Sequence, residues 1–179
     1  MDPLSVVFKA AARESIDLDA VMELLGQELH HYARVLAGSP EAGEDALQDC
    51  LVALLQEGTK AAAIRSPRAW LFTVLRRKAL AYRKIVPQSL AQDFSSAVAA
   101  DYTDHVMLAE SLERLSVVDQ EIILLHLWEG QTFEAIAEIL AMPRNTVLSR
   151  YYRAIEQLRA FFGVASPPIK KRQEVRCHE

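Results

Sequence analysis

Apolar residues recur at spacings of three and four along most of the chain, and strand-like alternation is not found. Leu18, Val21, Met22, Leu25, Leu29, Tyr32 and Leu36 line one face of a helix that Gly38 should end. Ser39-Pro40 opens a second helix, serine as cap and proline in the first turn, with Leu47, Cys50, Leu51, Leu54 and Leu55 on its apolar face and Gly58 beyond it. Acidic Glu41, Glu44 and Asp45 suit the positive end of that helix dipole. GTKAAAIR reads as a short loop, after which Ser66-Pro67 repeats the cap-and-proline device. The third helix places Trp70, Leu71, Val74 and Leu75 on its apolar face and is expected to run to Ile85-Val86.

Residues 87–103 lose this periodicity and turn small and polar, which reads as a linker. Beyond it, VMLAESLERL is a helix, and Ser116 with Asp119 forms a capping-box variant for VVDQEIILLHLWEG, ending at Gly130. Thr132 caps TFEAIAEIL, and a last helix runs from Pro143 to about Phe162, before Gly163. The fold class is therefore all-α, with two small helical domains at 1–86 and 104–163. The basic tail, 164–179, has two prolines and little to bury, and is expected to be disordered.

Charge sharpens this division. The formal net charge is −4, but residues 1–59 carry 3 basic and 11 acidic side chains, and residues 60–84 carry 8 basic and none acidic. Residues 85–142 carry 1 basic and 10 acidic, and residues 143–179 carry 8 basic and 3 acidic. Two basic blocks on two helices mark surfaces for a polyanion, where a single block would read as a solvated helix face. The two cysteines, Cys50 and Cys177, supply neither a disulfide framework nor a zinc site. No apolar run is long enough to span a bilayer, and a cytoplasmic setting is expected. No nucleophile–base pair, metal cluster or phosphate-binding glycine loop stands out, so neither enzymatic activity nor a cofactor is expected.

Thr132–Ala154 reads as two short helices joined by a tight turn, a helix-turn-helix. Ala137 supplies a small residue toward the partner helix, and Val147, Ile155 and Leu158 an inner face. Arg144, Asn145, Thr146, Ser149, Arg150 and Arg153 lie on or near the outer face, free for a major groove. Arginine and asparagine are suited to bidentate contact with guanine and adenine.

These residues resemble those of bacterial sigma factors of the extracytoplasmic-function type. Leu112–Arg159 resembles the family's region four. GSPEAGEDALQDCLVALLQ and SPRAWLFTVLRRKALAYRK resemble region two, in the family's order, and the two matches span most of residues 18–160. The resemblance implies a transcription initiation factor that docks on core RNA polymerase, melts the minus-ten element and reads the minus-thirty-five element. Glu44, Asp45 and Gln48 match the E-D-x-x-Q part of the polymerase-docking motif. The resemblance assigns Lys60, Arg65, Arg76, Arg77, Lys78, Tyr82 and Arg83 to the minus-ten element, with Trp70 and Phe72 as further candidate stacking groups. It assigns Arg144, Asn145, Thr146, Ser149, Arg150 and Arg153 to the minus-thirty-five element. An anti-sigma factor, able to hold the chain at the inner membrane, is an expected partner.

The chain departs from the family pattern in places. Pro143 stands where a capping serine or threonine is usual, Ala141 where a turn glycine is frequent, and Leu148 where lysine is frequent. In region two, Arg77 and Ala81 replace a common asparagine and aspartate. A stand-alone helix-turn-helix regulator is the alternative reading, but it leaves the basic block at 60–84 without a use.

Overall fold

The computed structural model describes residues 2–13, 15–83 and 110–163. The linker at 87–103, the end of the third helix at Ile85-Val86 and the tail at 164–179 lie outside these residues. Every described element is helical: α1 (Pro3–Ala10), α2 (Leu18–Ala37), α3 (Pro40–Glu57), a 3₁₀ turn (Gly58–Ala63), α4 (Pro67–Tyr82), α5 (Val117–Ile123), a π-helical turn (Leu124–Trp128), α6 (Phe133–Ile139) and α7 (Arg144–Phe161).

The caps explain most boundaries. The Asp17 carboxylate accepts from the Ala20 N–H at 3.0 Å, and α2 ends on Gly38 in the left-handed region. Ser39 accepts from the Ala42 N–H at 3.2 Å. Thr132 accepts from Ala135 N–H, and Ser116 from Asp119 N–H, both at 3.2 Å. Ser66 departs from expectation, since its side chain makes no cap hydrogen bond and Pro67 alone sets the start of α4. GTKAAAIR is not an open loop, because Gly58–Ala63 closes into a 3₁₀ turn. α1 was not anticipated: it is eight residues long and shows only Leu4, Phe8 and the following Ala11 as a buried stripe.

In the N-terminal bundle, Val21, Leu25, Leu29, Tyr32 and Leu36 of α2 meet Leu47, Cys50 and Leu54 of α3 and Leu71, Phe72 and Leu75 of α4. The Tyr32 and Phe72 rings lie 5.1 Å apart at 59°. Leu71, Val74 and Leu75 are buried and Trp70 packs partly buried against the core, as expected, while Phe72 is fully buried and so is not available as a stacking group. Burial pushes the Cys50 thiol up to about 12, so it acts as a small apolar side chain. Gly43 lets α2 and α3 approach closely, because a Cβ there would lie 2.8 Å from the Arg34 backbone.

The C-terminal half packs Ile122, Leu124 and Leu125 against Ile136, Ile139, Val147 and Ala154. Buried Gln120 donates to the Leu112 and Leu115 carbonyls at 2.8 and 3.1 Å, tying the preceding segment to α5. His126, Phe133 and Tyr151 form an aromatic cluster beside the turn. The two halves touch, with α4 lying against α6 and α2 against the π-helical turn.

Candidate nucleic-acid interface

α6 and α7 form the helix-turn-helix. The Met142 N–H bonds to the Ala137 carbonyl at 2.9 Å and the Ala141 N–H to the Glu138 carbonyl at 3.2 Å, the pair that defines a Schellman ending. That geometry demands a left-handed residue, and Ala141 sits there at φ 52°, the only non-glycine residue with positive φ among those described. Pro143 then opens α7 with no side-chain cap, and its carbonyl accepts from the Thr146 and Val147 N–H groups. Val147 is fully buried and points α7 inward, with Ile155 and Leu158 half-buried along the same face.

The outer face of α7 is not uniform. Asn145 and Arg153 are exposed and have no hydrogen-bond or ion-pair partner among the described residues. Arg144 is exposed but pairs with Glu134 across the turn. Ser149 donates to the Thr146 carbonyl at 3.0 Å, and Thr146 is half-buried. Arg150 donates to Asp119 at 2.9 Å and lies near Ser116, so it braces α7 against the start of α5. A helix can present Arg144, Asn145 and Arg153 to a groove while Arg150 fixes its tilt.

The second basic block divides in the same way. Lys60 on the 3₁₀ turn, Arg65 just beyond it and Arg77 on α4 are exposed, without hydrogen-bond or ion-pair partners among the described residues. Lys78 pairs with Asp49 at 3.3 Å, and the Tyr82 hydroxyl donates to the same carboxylate at 3.4 Å. Arg83 is half-buried at the end of α4. Arg76 turns toward the other half of the molecule.

There Arg76 grips Glu121 of α5 with two bonds, Nε to Oε1 at 2.7 Å and Nη2 to Oε2 at 3.2 Å. The Tyr32 hydroxyl, on a fully buried ring, donates to the same Oε1 at 2.8 Å. The bonds to Glu121 hold the Arg76 pKa above its usual value, and burial holds the Tyr32 phenol well above its own. A second contact lies alongside: His31 Nδ1 hydrogen-bonds Glu129 Oε1 at 2.7 Å, and Arg68 donates to the Glu129 carbonyl at 2.9 Å while pairing with Glu28. Burial raises the Glu129 carboxyl, and the His31 bond offsets part of this. Glu121 and Glu129 were not singled out from the sequence. The signal was present: both are carboxylates inside an otherwise apolar helical stretch, and a buried carboxylate requires a cation.

The acidic patch lies near the start of α3, close enough for Asp45 to act electrostatically on Tyr82. Glu44, Asp45 and Gln48 of α3 are exposed, and exposed Val52 and Leu55 continue their stripe along the helix. Among the described residues no group of three or more His, Cys, Asp or Glu could hold a metal ion, and no helix is long and apolar enough to cross a membrane.

Residues 105–158 match the family model "Sigma-70, region 4", and residues 28–76 match "Sigma2 domain of PhyR". Fold, turn and matches together define a sigma-type transcription initiation factor. The ECF RNA polymerase sigma factor SigL of Mycobacterium tuberculosis (strain ATCC 25618 / H37Rv) is 28% identical over 166 residues, covering 84% of this chain and 91% of that one. The RNA polymerase sigma factor SigV of Bacillus subtilis (strain 168) is 31% identical over 125 residues, covering 63% of this chain and 75% of that one. The chain belongs to the extracytoplasmic-function family of sigma factors. Its fold resembles that of CnrH, solved in complex with the cytosolic domain of CnrY (TM-score 0.65, 22% identity, 92% of this chain and 100% of that one). It also resembles the sigma factor RpoE, solved with the anti-sigma factor NepR from Bartonella quintana (TM-score 0.61, 24% identity, 84% and 99%).

Proposed function

We propose that this protein binds core RNA polymerase through Glu44, Asp45 and Gln48 of α3 and directs it to promoters carrying separate minus-ten and minus-thirty-five elements. α7 reads the upstream element with Arg144, Asn145 and Arg153, while Thr146, Ser149 and Arg150 set its register on the backbone. Lys60, Arg65 and Arg77, joined by Arg76, Lys78, Tyr82 and Arg83, form a track for the opened strand at the downstream element. The observation that carries this reading is the exposed Asn145–Arg153 face of α7, on a helix-turn-helix in a chain of this family.

An anti-sigma factor is the regulatory partner in this reading. Support comes from the two structural neighbours, one solved with CnrY and one with NepR. The chain works in the cytoplasm, and such a partner can hold it at the inner membrane.

Run-off transcription on genomic fragments with purified core polymerase tests the proposal. Promoter-dependent transcripts that need both proteins are expected. Absence of transcripts, together with failure to co-purify with core, removes the reading.

A further inference from the structure

One carboxylate of α3 reaches across to two groups of the proposed track for opened DNA. Asp49 follows Gln48 and lies one helical turn beyond Asp45. Those two are exposed, whereas Asp49 is half-buried and turned toward α4. Its Oδ2 accepts from the Lys78 ammonium at 3.3 Å and from the Tyr82 hydroxyl at 3.4 Å. Lys78 and Tyr82 are four positions apart and so share one face of α4. Arg77, next to Lys78, stays exposed and has no partner among the described residues.

Charge alone gives no reason for that carboxylate. A negative group beside a cationic track repels phosphate and weakens the hold of the track on DNA. Geometry supplies a reason. Tyr82 is the last residue of α4, where a helix end frays and a side chain has least to hold it. Its residue surface is 40% exposed, so a base can reach the ring. A free ring must be ordered when a base stacks on it, and that ordering subtracts from binding. A hydrogen bond at the hydroxyl end fixes the ring and leaves its face open. The hydroxyl also keeps its proton for this bond, since desolvation, then the charges of Asp49 and Asp45, raise the phenol above its usual value.

We propose that Asp49 is a positioning residue for promoter opening: from α3 it holds Lys78 and Tyr82 of α4 in the arrangement that receives the opened strand. This rests on the promoter reading given above. α3 then serves two partners from neighbouring faces. Glu44, Asp45 and Gln48 point outward to polymerase, and Asp49 points inward to the helix that takes the opened strand.

Permanganate reactivity of minus-ten thymines tests this, with full-length chain saturating core polymerase on a promoter selected by the run-off assay. Charge and positioning predict opposite signs. Asp49→Ala removes a negative charge and the tether together, and the open fraction should fall about threefold, within the range of a partly exposed pair. Asp49→Asn keeps an acceptor oxygen without the charge and should restore most of that loss. Tyr82→Phe keeps the ring and loses the tether; it should fall by less, and add nothing in the Asp49→Ala background. Affinity for core, read by anisotropy of labelled chain, should be equal for the parent and Asp49→Ala. An Asp49→Ala open fraction at or above that of the parent overturns the assignment. So does Asp49→Asn no better than Asp49→Ala, or a Tyr82→Phe loss undiminished in the Asp49→Ala background. A loss confined to core affinity would make Asp49 a docking group, and loss of helical circular dichroism in both Asp49 variants would make it a structural group; either overturns it too. If the parent opens no promoter, the promoter reading falls and the assignment with it. If the parent opens one and the variants match it, the assignment alone falls.

Discussion

Ala141→Gly should stabilise this protein, against the general expectation that glycine loosens a chain. The turn between α6 and α7 requires a left-handed residue at the position where the Ala141 N–H bonds to Glu138 and the next N–H bonds to Ala137. Ala141 takes that conformation at φ 52°. A Cβ in the left-handed region costs about 1–2 kcal/mol. Glycine removes this cost but enters the folded state with more backbone freedom to lose, about 0.5–1 kcal/mol. Ala141 is exposed, so its methyl group contributes little packing. The net gain is about 0.5–1 kcal/mol, a Tm rise of roughly 1–4 °C for a chain of this size. Urea titration followed by circular dichroism measures it: the midpoint should rise with the slope unchanged. Glu138→Gly, inside α6 and exposed, is the control and should lower the unfolding free energy by about 1 kcal/mol, and the midpoint with it. A midpoint for Ala141→Gly at or below that of the parent would refute the strain argument.

Gly43→Ala drives a Cβ to within 2.8 Å of the Arg34 Cα and N, so α2 and α3 must part; a loss of about 1–3 kcal/mol is expected in the same titration, and an unchanged midpoint would show that the helices have room. Burial raises the Glu129 carboxyl, so the folded state holds that proton more tightly than the unfolded chain. Its contribution is therefore present below the usual carboxylate range and lost as pH rises through the raised value. The Tm of the parent minus that of Glu129→Gln should fall as pH rises above the usual carboxylate range, and a flat difference counts against the burial argument. Arg150→Ala loses the brace to Asp119 and should lower Tm by a degree or two. Arg153→Ala should leave Tm unchanged and weaken upstream-element binding by the holoenzyme; interchanged effects would reverse the assignment of brace and reader.

The helices could be read from the chain because each carries a periodic face or a start or stop device, as Gly38, Ser39, Ser116 and Thr132 show. α1 escaped notice because eight residues give two turns and no side-chain cap. The π-helical turn depends on backbone hydrogen-bond register: the Glu129 N–H reaches the Leu124 carbonyl, and no residue type dictates that. Ala141 is the opposite case, since the resemblance to the family, where a turn glycine is frequent, singled it out before any coordinates. Tyr32 and Glu121 lie 89 positions apart, and His31 and Glu129 lie 98 apart. Local periodicity carries no information at that separation.

The charge blocks gain a second meaning from these long-range pairs. The sequence marks the two basic blocks as surfaces for a polyanion. Among the described residues, Arg68 and Arg76 of the first basic block instead meet carboxylates, Glu28 and Glu121, and Arg150 and Arg144 of the second meet Asp119 and Glu134. The acidic segments thus act on the chain's own arginines before any nucleic acid does. Free DNA must displace a tethered carboxylate whose local concentration is high, and exposed cations alone set any non-specific attraction. On the function proposed above, a large assembly that engages the acidic segments removes the internal competitor and positions both surfaces at once. Within that proposal, dependence on such an assembly follows from the placement of the carboxylates, without requiring that either basic helix bind DNA weakly in itself.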